Sequence, residues 1–291
     1  MSDIIKDHIS FYFIKFAIIM TTKLFIMKKN RIKYLNLLSL SLFFLLFSSC
    51  ERIKETKLTI NFTHSINNSN LVCGTGCTNG GECLPDHSCC IGGKLLPYTN
   101  ESGQNYNVQR LQYLISDIIL HKDNGDSKIL KDIHFIDLED PSTLSFNAGV
   151  LENANYTSIS FTMGLNPEKN ISNLYVNEDF HTTMIWPEMM GGGYHYMKLE
   201  GDYDTITQGY ATHTGGTMGG DYSFNNNKNI SLSVNDELGN ISIDINMEIN
   251  NWYKNPHTIM IEPAIMGNQA KQLELQDNGN TDVFSVSVIE N

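Results

Sequence analysis

Between His181 and Gly220 the chain reads HTTMIWPEMMGGGYHYMKLEG and then, from Gly209, GYATHTGGTMGG. From His181 to His213 it gathers His181, His195 and His213, four methionines (Met184, Met189, Met190, Met197) and Trp186, one of only two tryptophans. Imidazole and thioether are the ligands copper favours in its oxidised and reduced states respectively. The same residues also suit a bland role, because methionine and aromatic side chains on an inward strand face usually fill a core. A ligand histidine should also find a carboxylate or carbonyl for its second ring nitrogen, and Glu200 and Asp202 are close in sequence.

Other chemistries lack their signatures. The chain has no G-x-S-x-G elbow, no H-E-x-x-H, no phosphate-binding loop and no dinucleotide fingerprint. The glycine-rich run Gly209 to Gly220 lacks the Lys-Ser/Thr end that would cradle a phosphate and reads as an inter-strand loop. No nucleophile with its base and no acid/base pair stands out from spacing, so an enzyme is not expected. Five of the six cysteines, Cys73, Cys77, Cys83, Cys89 and Cys90, are packed together. Cys77-Thr-Asn-Gly-Gly-Glu-Cys83 resembles part of an EGF-like module without its full cysteine set. A surface loop stapled by two disulfides with one thiol left over is the preferred reading, and a thiolate metal site with His87 is the sharper one.

The elements that must position these residues follow a period of two. Ile241, Ile243, Ile245, Met247 and Ile249 alternate with Ser242, Asp244, Asn246, Glu248 and Asn250, giving one dry and one wet face. Thr157 to Met163, Ile230 to Val234 and Phe284 to Val288 repeat the pattern. Leu58, Ile60 and Phe62 do so near the start, with His64 on the same face. His195, Met197 and Leu199 alternate with Tyr194, Tyr196, Lys198 and Glu200 in a strand that follows the turn Gly191-Gly192-Gly193. Asp123-Asn124-Gly125-Asp126 is a hairpin turn between Ile118 to His121 and Ile129 to Leu138. Only Ala264 to Gln276, with Met266, Ala270 and Leu273 at helical spacing, predicts a helix. The fold class is therefore all-β, an immunoglobulin-like β-sandwich of about seven to nine strands with one short helix near the C-terminus.

The N-terminus reads as an address. From Met27 come four basic residues (Lys28, Lys29, Arg31, Lys33), an apolar run from Leu35 to Phe47, and Ser48-Ser49-Cys50. This resembles a bacterial lipoprotein signal, with Cys50 as the lipidated residue; the apolar run is short of the roughly 20 residues a spanning helix needs. Residues 1–26 are then an over-extended start, 27–49 the signal peptide, 50–57 a lipidated linker, and 58–291 one domain with a cysteine-rich insert at 73–93. Such a protein is expected on the bacterial outer membrane, periplasmic or surface-exposed, where disulfides form. The formal net charge of -12 repels phosphate backbones and argues against nucleic acid as a partner.

Six segments carry a resemblance to a known family. They are Tyr98-Thr-Asn-Glu-Ser-Gly-Gln-Asn-Tyr106, Leu111-Gln-Tyr-Leu-Ile-Ser-Asp117, Trp186 to Gly201, Tyr210-Ala-Thr-His-Thr-Gly215, Asn251-Trp-Tyr-Lys-Asn-Pro256 and Ile265-Met-Gly-Asn-Gln269. In order, across residues 58–288, they resemble the MbnP-like family of extracytoplasmic copper-binding proteins. The resemblance implies a β-sandwich holding one copper ion with histidines. It points to His64, His195 and His213 as ligands, with Trp186 as the tryptophan that in the name-giving branch is oxidised to kynurenine by a di-haem, peroxidase-like partner. His121, His134, His181 and His257 are read as structural or surface residues. An outer-membrane transporter is a second implied partner. A surface adhesion or glycan-binding lipoprotein without a functional metal is the competing reading.

Overall fold

A computed structural model describes residues 55–71, 96–235 and 239–290. The leader, Cys50 and the cysteine-rich insert with His87 lie outside these residues, so the expectations placed on them belong to the sequence alone. Thirteen strands run in chain order: β1 (Thr56–Ile66), β2 (Ser69–Asn70), β3 (Tyr98–Thr99), β4 (Asn105–Tyr106), β5 (Arg110–Lys122), β6 (Ser127–Asp137), β7 (Ser145–Leu151), β8 (Ala154–Met163), β9 (His195–Tyr203), β10 (Thr205–Gly215), β11 (Phe224–Val234), β12 (Asn240–Glu248) and β13 (Phe284–Glu290). The count exceeds seven to nine partly because β2, β3 and β4 are two-residue pairings, too short to leave a periodic trace in sequence.

The strands form two sheets packed face to face. One has five strands in the order β13-β12-β1-β2, with β7 also on β1; the other has eight in the order β11-β8-β5-β9-β4-β3, with β10 on β9 and β6 on β5. The β1/β12 pair is parallel, and it joins the first strand to one that lies about 180 residues later, Leu58 opposite Ile241. The alternation expected of β12 is observed: Ile241, Ile243, Ile245 and Met247 are buried in the space between the sheets. Leu58, Ile60 and Phe62 of β1 meet them there, facing Leu111, Tyr113, Met197 and Leu199 of the second sheet. At about 25 cal/mol per Å² of apolar surface, this shared core is the dominant favourable term of the fold. The β5/β6 hairpin turns as expected, with Gly125 in the left-handed region (φ +90°) that glycine tolerates.

One segment covers the other face of the eight-stranded sheet. Residues between β8 and β9, including the short helix α1 (His181–Met184), fold back over it and make a second, smaller core from Leu114, Leu165, Phe180, Met184, Tyr194 and Tyr196. Lys169 fastens this cover by bonding Asp117 and Asp132 at 2.5 Å each. The glycine turn that returns the chain to β9 has φ of +121°, +71° and +85° at Gly191, Gly192 and Gly193, and a Cβ at Gly193 would lie 2.3 Å from Asn170 Oδ1. Only glycine fits there.

The C-terminal helix α2 runs Gln269–Gly279 rather than from Ala264, because Asn268 caps it by accepting from the Lys271 amide. Its buried face is Gln272, Leu275, Asn278 and Gly279, while Leu273 is exposed, which overturns the apolar spacing read from sequence. The helix docks by hydrogen bonds from a polar face: Asn278 donates to the Trp252 and His257 carbonyls.

Candidate metal centre

The glycine-rich run expected to be a loop is mostly strand. Gly209 to Gly215 belong to β10, and Gly215 is required because a Cβ there would come within 2.4 Å of the Trp186 ring. Opposite, β9 carries one extra residue: Met197 faces Thr214, but His195 faces Gly215, so two steps on β9 match one on β10. This bulge corrects the strict alternation that grouped His195 with Met197 and Leu199. Met197 stays in the core between the sheets, whereas the slip carries the His195 ring to the opposite face, beside His213.

Trp186, His195 and His213 are thereby brought together. The ring centroids of Trp186 and His195 are 4.7 Å apart and those of His195 and His213 are 5.0 Å apart, both edge to face. Trp186 is fully buried, with its indole N–H donating to the Met190 carbonyl at 3.2 Å. His195 Nδ1 lies 3.3 Å from the Met184 carbonyl, so a proton there donates to it and leaves the lone pair on Nε2. Burial, with His213 and Lys198 adding to it, pushes His195 down to about 3, so the ring is neutral at any ordinary pH.

His213 is held from its far side. Its Nε2 is 2.8 Å from Glu200 Oε1, and Glu200 also takes Arg110 at 2.7 Å. The hydrogen bond from His213 holds the Glu200 carboxyl below the usual carboxylate range. With Nε2 donating, the lone pair sits on Nδ1, which is buried and has no hydrogen-bond partner. Of the two carboxylates near in sequence, Asp202 turns instead to Asn107 and Gln109.

Sequence reasoning missed Gln272. From α2 it donates to the His213 carbonyl at 2.8 Å and accepts from the Gly215 amide at 3.2 Å, standing in for a neighbouring strand along the edge of β10. A buried glutamine breaks no apolar period, so the sequence carried no signal of it. Arg110 was likewise missed, because its link to Glu200 depends on the β5/β9 register.

His64 lies elsewhere. It sits on the inward face of β1, where its Nε2 pairs with the Tyr113 hydroxyl at 2.9 Å. Tyr113 faces Met197 across β5/β9, in the core between the sheets, while Glu200 and His213 project from the other face. The eight-stranded sheet therefore separates His64 from the pair. Burial pushes His64 down to about 4. The remaining described histidines each have a local partner: His121 Ser160, His134 the Thr143 carbonyl, His181 Tyr194 and His257 Asp277. Among the described residues no group of three or more His, Cys, Asp and Glu side chains is placed to hold a metal ion.

The family model described as MbnP matches residues 55–270. Among solved structures, MbnP from Methylosinus trichosporium is similar over 81% of this chain and 99% of its own, at 9% sequence identity and a TM-score of 0.49. Comparison with curated proteins gives no match. The family match spans well over half of the 291 residues, and the chain belongs to the MbnP family.

Proposed function

We propose that this protein binds one copper ion through His195 and His213, with Trp186 against them, and serves in extracytoplasmic copper acquisition or handling. The observation that carries the reading is the buried, unbonded Nδ1 of His213, on a ring whose centroid is 5.0 Å from that of His195. A buried acceptor without a partner costs about 1–3 kcal/mol, a cost that a bound cation removes. Glu200 behind His213 and the Met184 carbonyl behind His195 fix the tautomers as the outer partners of metal-binding histidines do. Two imidazole nitrogen donors beside an aromatic ring fit copper, and the bound ion would supply redox capacity or simple storage. His64 is left out of the ligand set because its Nε2 is paired with the Tyr113 hydroxyl on the other side of the sheet from His213.

The sequence supports the remaining parts of the reading. The basic, apolar and Ser-Ser-Cys50 succession supports a lipid anchor at the bacterial outer membrane, and family membership supports a di-haem peroxidase-like protein or an outer-membrane transporter as partner. Elemental analysis and copper titration of the chain and of a His195→Ala/His213→Ala variant test the site. One tightly held copper, lost in the variant, is expected; copper held equally by both would overturn it. The mass of the Trp186 peptide tells indole from kynurenine.

A further inference from the structure

The described residues contain nine methionines, and their distribution is uneven. Met163, Met184, Met197 and Met247 are buried. Of the five that reach solvent, Met189, Met190, Met218 and Met266 lie on three adjoining segments, and only Met260 is outside them. The 3-10 turn Glu188–Met190 abuts the turn Thr217–Gly219: a Cβ at Gly191 would lie 3.2 Å from the Met218 amide nitrogen and 2.4 Å from the Gly216 carbonyl oxygen. Thr217 donates to the Met266 carbonyl at 2.6 Å, which ties the third segment to the same place.

Two of these side chains are exposed to an extent that packing does not explain. Met189 is 84% and Met218 56% accessible, and Met218 holds a left-handed backbone (φ 54°, ψ 30°) that a non-glycine residue rarely adopts. A cavity of about 210 Å³ opens beside the two turns, its wall including Gly191, Gly216, Gly220 and Asp221 and none of these methionines. The rim also touches the histidine pair's surroundings, since the Met190 carbonyl holds the Trp186 indole and Gly215 precedes the second turn. Thioethers are soft, uncharged and slow to protonate, so they select copper(I) over copper(II) and over harder divalent ions.

We propose that this methionine rim is a second metal site, specific for copper(I), next to the segments that hold the histidine pair. Its role as a capture site rests on the copper reading above, but its metal binding does not. The test uses the full chain, with thiols alkylated, ε-methyl-13C methionine and copper(I) added anaerobically as its acetonitrile complex. Three proteins are compared: wild type, Met189→Leu/Met218→Leu, and His195→Ala/His213→Ala. The wild type should take two equivalents and each variant one, and in the histidine variant the Met189 and Met218 methyl signals should shift while those of Met163, Met197 and Met247 stay. In the histidine variant copper(II) should move none of them. Absence of a methyl shift in the histidine variant overturns the rim site. A wild type that takes copper(I) only at the rim keeps this inference and overturns the histidine reading instead.

Discussion

Two histidine environments sit on opposite faces of one sheet and differ in one respect. His64 is surrounded by core, depressed to about 4 by burial, and its Nε2 is taken by Tyr113. His195 and His213 are as well packed, yet each ring turns one nitrogen outward to a carbonyl or carboxylate, and the other nitrogen of His213 is buried and bare. Burial and a low pKa therefore do not mark a ligand. The orientation of the lone pair does, and it is set by what lies behind the ring.

That comparison can be broken most directly by exchanging the two environments' losses. His213→Ala should weaken copper by more than about a hundredfold, while His64→Ala leaves it unchanged; copper affinity measured by competition with a calibrated chelator checks both. Loss of copper in His64→Ala would erase the distinction. Next in size, Glu200→Gln keeps the side-chain shape but weakens the hold on the His213 proton, and should cost about 10- to 100-fold in copper affinity with the melting temperature nearly unchanged.

Acid should act on three buried histidines, among them His195 of the proposed site, which is pushed down to about 3. His64 and His134 are both pushed down to about 4 from the ordinary 6.5, each chiefly by burial. The unfolded chain therefore binds more protons than the folded one between pH 6.5 and 4, and stability must fall as pH falls through that window. The loss should be about 3 kcal/mol for each of His64 and His134, with His195 extending it to about pH 3, as read from urea midpoints across the range. His134→Asn should remove part of that slope. The smallest effect is expected for Tyr113→Phe, which leaves His64 without its partner: about 1 kcal/mol of stability in the same urea series, with copper affinity untouched.

Much of the molecule was legible in its sequence. The dry faces of β1 and β12, the β5/β6 hairpin and the presence of a strand after Gly193 follow from alternation and turn residues, because burial on one side of a pleated strand writes itself into every second position. The helix was placed a few residues early, since its docking face is polar and the methionine and leucine spacing pointed to the wrong side.

The composition of the site was also visible, in the crowding of His195, His213 and Trp186 into one span. What the sequence by itself determined is the class of fold, the dry side of each long strand and the supply of soft and nitrogen donors. What only the tertiary structure decided is which donors meet. One extra residue in β9 carries His195 to the far face, a parallel pairing across about 180 residues places His64 in the core, and Gln272 from the last helix braces the edge of β10. Each of these depends on register between segments distant in the chain, and a period of two is blind to register.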